Sequence, residues 1–321
     1  MKLNQLWSIG LRHSLTIGLT VFCSLIVSCS KESDAQSDDD IKSLVFSVQD
    51  YSIVNDGEGS TQTKTNITNQ GGFLWSDGDT LGIYPSSGSQ VFFAMTDGAD
   101  AKYAKFDGGG WNFKAAHTYY AYYPFIGNIY LNKEQIPVSF VGQKQTNTTG
   151  TGSFGSFDYM YAPGTSSEAG VLNFEFKHLC CVFKAHVTTL PEGTYTKMAI
   201  TAPGNYFVKE GHYSLLEAEP SIVGSTFTNQ LLVNLEGITL AKDSEFDIYL
   251  LSAPVNLAGK EITISVLDSQ KKELQCKKSA IDFKNGVMYK LKCSVWTEVP
   301  QNMGMIIEDW GNGGSITGEA E

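Results

Sequence analysis

Three groups of residues in this 321-residue chain have types and spacings that suggest chemistry: a glycine-rich run, a tyrosine-rich strand, and isolated histidines. Gly150-Thr151-Gly152-Ser153-Phe154-Gly155 matches a dinucleotide-binding loop by letter. That chemistry needs a strand before the loop and a helix after it, whose N-terminus holds the pyrophosphate. The sequel here is Ser156-Phe157-Asp158-Tyr159-Met160-Tyr161, a strand-like run, so the match reads as a flexible loop. Tyr119-Tyr120-Ala121-Tyr122-Tyr123-Pro124-Phe125 presents rings on both faces of a strand. Tyr122 and Tyr123 are candidates for stacking on a sugar; the alternative is that one face fills the core while the other packs under a loop or subunit. His178 and His186 fall on the more polar side of their segment and read as structural residues rather than ligands. There is no serine-centred nucleophile elbow, zinc-binding helix or phosphate loop. Carboxylates are plentiful in loops and tail but show no pairing for acid–base work, so no enzyme, catalytic residue, metal or cofactor is expected.

One cysteine stands in a different context. Lys2 and Arg12 form a positive start, and Ser14 to Ser28 form a short uncharged apolar stretch. That stretch is too short to span a bilayer, which takes about 20 residues. It ends in Leu25-Ile26-Val27-Ser28-Cys29, which resembles the lipobox of bacterial lipoproteins. Cleavage between Ser28 and Cys29 is expected, leaving Cys29 as a lipidated N-terminus carrying acyl chains such as palmitate. Each buried methylene contributes roughly 0.8 kcal/mol, and stable anchoring takes more than one chain. Residues 1–28 are then a signal peptide. Residues 29–40 are polar and acidic, and form a solvated tether.

Removing a leader that carries two basic residues and no acid takes the formal net charge from −11 to −13. An acidic surface argues against nucleic acid as a partner. Arg12 is the sole arginine, so the mature chain has no guanidinium fork for bidentate recognition of carboxylate or phosphate. Four further cysteines follow Cys29 in the mature chain: Cys180, Cys181, Cys276 and Cys293. An exported compartment permits disulfides in three connectivities, with buried free thiols as the alternative. Neighbouring strand residues face opposite ways, so Cys180 and Cys181 should not both enter one core.

The positioning elements are strands. Leu44-Val45-Phe46-Ser47-Val48 reads as the first. Ile262, Ile264 and Val266 alternate with polar residues before the turn Asp268 to Lys272, a hairpin signature. Val287 to Val295 alternates after Asn285-Gly286. From Leu172 to Val187 the apolar phase flips by one residue near His178, as a bulge in one long strand would make it do. Ala162-Pro163-Gly164-Thr165-Ser166-Ser167-Glu168-Ala169-Gly170 has the composition of a linker. The expected organisation is all-β, with antiparallel sandwiches at 41–165 and 166–321.

The set of motifs resembles one family. The lipobox at Cys29, Trp75 to Tyr84, Tyr119 to Phe125, Phe174 to His178, Asn285 to Leu291 and Ile307 to Gly314 occur in the order seen in fimbrillin-like proteins of Bacteroidetes. The resemblance implies two transthyretin-like β-sandwich domains in tandem. It implies a structural and adhesive subunit or anchor of type V fimbriae on the outer membrane surface. Its partners would be other fimbrial subunits, the outer membrane through the lipid, and host or bacterial surface ligands. In that family a protease removes the first strand, here Leu44 to Tyr51, and a neighbour's strand replaces it. Lys64 is the basic residue in the loop Asn55 to Gly72 and the candidate cleavage point. Residues 303–321 are the candidate donor strand. The alternative is a monomeric surface lipoprotein that binds glycan or protein through exposed aromatics.

Overall fold

Alternating apolar residues become strands almost everywhere in the computed structural model, which describes residues 41, 43–55, 73–85, 87–108, 113–115, 117–127, 131–146, 155–166 and 170–299. The first five strands are β1 (Ser43–Val48), β2 (Ser52–Asn55), β3 (Thr80–Pro85), β4 (Val91–Asp97) and β5 (Tyr103–Asp107). Next come β6 (Tyr119–Tyr123), β7 (Ile136–Ser139), β8 (Gln143–Gln145), a 3-10 turn at Gly155–Phe157, β9 (Met160–Ser166) and β10 (Val171–His178). The second half holds β11 (Cys181–Val187), β12 (Gly193–Thr201), β13 (Phe207–Tyr213), β14 (Val223–Thr228), β15 (Gln230–Leu240) and β16 (Phe246–Ser252). It closes with β17 (Val255–Asn256), β18 (Glu261–Asp268), β19 (Glu273–Ser279), β20 (Asp282–Phe283), β21 (Val287–Cys293) and β22 (Thr297–Glu298). The expected all-β class is what the chain adopts. Among the described residues no helix is long and apolar enough to cross a membrane.

Seven strands close a barrel in the order β1-β10-β9-β6-β3-β4-β5. A four-stranded sheet, β16-β11-β21-β2, and a six-stranded sheet, β22-β19-β18-β12-β15-β8, carry most of the second half. Smaller sheets are β14-β13-β7 and β17-β20. One apolar core runs from Phe46 in the barrel to Cys293 in the second half. All described residues belong to one compact unit spanning Asp38–Glu321.

Several details differ from the sequence expectation. The pairing is mixed rather than purely antiparallel: β1 with β10, β2 with β21, β11 with β21 and β8 with β15 all run parallel. Residues 162–166 of the Pro-Gly stretch lie in β9, which pairs with β10 in the barrel, rather than in a linker. Gly164 sits opposite Phe174, and a Cβ there would run into the Phe174 ring at 2.9 Å. The glycine therefore serves the close approach of an aromatic ring rather than a free turn.

The phase flip near His178 is not a bulge. β10 ends at His178 in the barrel, and β11 begins at Cys181 in the four-stranded sheet. The chain changes sheet across Leu179 and Cys180, with Leu179 N donating to Tyr159 O at 2.8 Å. Both Cys180 and Cys181 are buried, because the crossing segment is enclosed from two sides rather than lying in one regular strand. All four cysteines of the described residues are free thiols. Burial pushes the Cys180 and Cys181 thiols above their ordinary range, Cys180 with a further push from the Asp158 charge.

The hairpin expected around Asp268–Lys272 is β18–β19, registered from Glu261↔Ser279 to Leu267↔Glu273. Asp268 Oδ1 accepts from Gln270 N at 2.9 Å and Lys272 N at 2.8 Å, closing the turn.

Candidate functional site

The segment 43–55 pairs with both the barrel and the four-stranded sheet as an inserted strip. β1 pairs with β10 along its whole length, from Ser43↔Val171 to Val48↔Phe176. Toward β5 it makes only two pairs, Phe46↔Ala104 and Ser47↔Tyr103. β2 then pairs with β21 from Ser52↔Val287 to Asn55↔Lys290. Between them, Gln49 N donates to Phe176 O and Ser52 N donates to Gly286 O, each at 2.9 Å. The half-closed side of β1 borders a cavity of about 360 Å³, lined by Leu44, Phe93, Phe106 and Phe113 among others.

Period-two alternation sends Phe46 and Val48 inward, and both are 1% exposed. The Phe46 ring stacks on Phe174 at 5.3 Å and meets the edge of Phe106 at 5.1 Å. Burying each such side chain stabilises the fold by roughly 1.5–3 kcal/mol. The alternation then breaks: Asp50 is half-buried and pairs with Lys102 at 2.8 Å, and Tyr51 is buried. Ile53 is the buried residue of β2.

Tyr51 and the backbone of Gln49 end on a buried polar cluster. Asp158, carried in by the 3-10 turn, is fully buried. Its Oδ1 accepts from the Tyr51 hydroxyl at 2.6 Å and lies 3.0 Å from His178 Nδ1. His178 Nε2 donates to the Gln49 carbonyl at 2.7 Å. Both ring nitrogens thus face oxygen atoms, Asp158 Oδ1 on one side and the Gln49 carbonyl on the other. Tyr51 also stacks on the His178 ring at 3.8 Å. Burial, then the Asp158 charge, holds the Tyr51 hydroxyl far above its ordinary pKa. Asp158 Oδ2 has no hydrogen-bond partner among the described residues. His178 is therefore not on a polar face, as the alternation suggested, but sealed at the end of β10 between the first segment and Asp158.

Tyr122 and Tyr123, the candidates for sugar stacking, are 0% and 3% exposed and offer no face to a ligand. The expectation of exposed rings is corrected: β6 is a wall strand of the barrel between β9 and β3, and Tyr119, Ala121, Tyr122 and Tyr123 are all buried, so side chains on both of its faces are covered. Tyr122 donates to Gln90 Oε1 and Tyr123 to Asp79 Oδ1, the latter at 2.9 Å. Tyr122 also fills the space beside Gly82, where a Cβ would collide with its ring. His186 lies at the surface of β11, with Nδ1 2.8 Å from Asp247 Oδ1. Cys29, Ser28 and Lys64 lie outside the described residues, as do most of 150–155, the loop after Asn55 and the tail from Pro300. No group of three or more metal-ligating side chains occurs among the described residues. Asp158 and Tyr51 are the residues that sequence reasoning missed; the available signal was a single acid set among Phe157, Tyr159 and Tyr161.

The strip 43–55 of this all-β chain thus runs parallel to β10 in the barrel and to β21 in a second sheet. A family model described as fimbrillin-like matches residues 61–310, and the chain belongs to the fimbrillin-like family. Membership sets it among fimbrial and adhesion subunits of the cell surface. No curated protein matches the chain. A solved structure of a putative cell adhesion protein from Bacteroides ovatus superposes with a TM-score of 0.50 at 13% identity, covering 81% of this chain and 96% of that one. A putative cell adhesion protein from Bacteroides uniformis gives 0.48 at 15% identity, covering 69% and 88%. The tip fimbrial protein Mfa3 from Porphyromonas gingivalis, with C-terminal truncation, gives 0.34 at 10% identity, covering 63% and 76%.

Proposed function

We propose that the chain is a subunit of a surface fimbria, exported as a lipoprotein through Cys29 and assembled by strand exchange. The observation that carries this reading is the strip 43–55, a parallel insert whose removal would open a continuous groove along β10 and β21. The family-model match begins at residue 61, after that strip. A strand donated by a neighbour would regain the ladder of main-chain hydrogen bonds, with side-chain pockets giving selectivity. Cutting at Lys64 would release residues 29–64, lipid included, as the subunit joins the fibre. If Lys64 is not cut, Cys29 holds the chain in the outer membrane as an anchor subunit. The absence of arginine after the leader favours that role wherever the processing protease is arginine-specific.

The test is N-terminal sequencing of the surface-exposed protein, together with unheated gels. A start just after Lys64 and a heat-labile ladder support a fibre subunit; a start at Cys29 with a ladder supports the anchor. A lone monomer starting at Cys29 would sink strand exchange. Loss of residues 303–321 should abolish the ladder.

A further inference from the structure

The first strip and the tail of this chain carry the same pattern. Leu44-Val45-Phe46-Ser47-Val48-Gln49-Asp50-Tyr51 and Met303-Gly304-Met305-Ile306-Ile307-Glu308-Asp309-Trp310, read in one direction, agree in type at positions 44/303, 46/305, 48/307, 50/309 and 51/310. These are the positions that the structure uses. Leu44 packs against the core, and Phe46, Val48 and Tyr51 are buried in it. Asp50 pairs with Lys102. The pattern is not simple strand alternation, because the buried position shifts from even to odd between Val48 and Tyr51. The tail repeats that shift between Ile307 and Trp310. Position 53 marks where the likeness stops: Ile53 is buried in the second sheet, and Asn312 stands at the matching place.

The polar cluster makes the shift consequential. Asp158 is fully buried, and its hydrogen bonds come from His178 and Tyr51. A strand that replaced residues 44–51 without a donor at the Tyr51 place would leave the buried Asp158 carboxyl short of a partner, which weakens its hold in the groove. An indole N–H is a donor only, and a tryptophan ring fills the room of a tyrosine ring with some excess. A carbonyl two residues earlier, at Glu308, would meet His178 as Gln49 does, because any residue supplies one.

We propose that residues 303–310 of one copy replace residues 44–51 of another in the same register, with Asp309 meeting Lys102 and the Trp310 indole N–H meeting Asp158. This rests on the strand-exchange reading and adds to it the register and the residues that set it. The chain is then its own partner, and the His178–Asp158 pair is the gauge that rejects strands lacking a donor at that point.

Register is read by cross-linking in the full chain. β1 and β10 place Ser47 opposite exposed Glu175, and the proposed register puts Ile306 there. Cells co-express one full-length version with Glu175→Cys and another with Ile306→Cys, Gly304→Cys or Glu308→Cys. Opposed strand residues are close enough for a disulfide, and a two-residue slip carries them out of range. The expected result is a disulfide-linked dimer that is strong with Ile306→Cys and several-fold weaker with the other two. Dominance of Gly304→Cys or Glu308→Cys, or ladders with no link to position 175, overturns this register and leaves strand exchange standing. Absence of ladders in every version, the unsubstituted chain included, overturns strand exchange and the register with it. A second measurement uses ladder melting: Trp310→Phe should lower the temperature at which ladders dissociate, and Trp310→Tyr should restore it. Equal melting of the two variants would overturn the role given to Asp158.

Discussion

Two histidine–aspartate pairs in this protein are built from the same side chains and do different work. His178 and Asp158 are 1% and 0% exposed at their side chains, 3.0 Å apart, and closed over by Tyr51 and the Gln49 backbone. His186 and Asp247 are 38% and 19% exposed, 2.8 Å apart, on the outer face of β11 and β16, with Glu245 3.7 Å from the far ring nitrogen. Water screens the second pair and is excluded from the first. Buried groups lose the whole desolvation energy when a partner goes, whereas surface pairs lose little. The contrast teaches that geometry alone does not rank ionic contacts; burial does.

The comparison can be broken from its strong end downward. Asp158→Ala should destabilise the full chain by about 3–5 kcal/mol, because it strands a buried imidazole and the Tyr51 hydroxyl. Urea unfolding measures this, and a loss under about 1 kcal/mol would mean that the cluster is not sealed from water. Asp247→Ala should cost about 2 kcal/mol, since the ammonium of Lys184, whose side chain is 7% exposed, loses its 2.8 Å partner. Here Lys184, not His186, sets the cost, and the Lys184 pKa, raised by its contacts with Asp247 and Tyr249 against the pull of burial, should fall in the variant. Tyr51→Phe should cost about 1.5 kcal/mol by removing one hydrogen bond to a charged group while keeping the ring on His178. His186→Gln should cost less than about 1 kcal/mol and should cost still less in high salt. If His186→Gln matched Tyr51→Phe, the burial ranking would fail.

Much of the frame was legible in the sequence, and particular residues show why. β1, the β18–β19 hairpin and β21 follow from alternation, because a half-buried strand needs one apolar face. Alternation records only which face is covered, not by what. The phase flip between Phe176 and Cys181 was visible, but a bulge and a change of sheet produce the same flip. Gly164 was visible too, yet its reason is the Phe174 ring from the neighbouring strand, which local composition does not record. Tyr122 and Tyr123 show the same limit. An aromatic pair on adjacent strand positions points to opposite faces, and both rings are buried only where other parts of the chain also cover the sheet's second face.

By itself the sequence determined the all-β class, the acidic balance of a chain whose sole arginine is Arg12, and the family to which the chain belongs. Each of these is a local or compositional property: a periodicity, a charge count, a run of motifs in order. Tertiary structure alone decided that Tyr51, Asp158 and His178 meet, since they are separated by 107 and 20 residues along the chain. It also decided that the opening strip lies parallel to β10 and β21 and fills their groove. Those facts depend on which strands become neighbours, a choice made by burying the whole apolar surface at once. The buried aspartate is the point at which the two kinds of knowledge join: an ordinary residue in the sequence, and a demanding one in the fold.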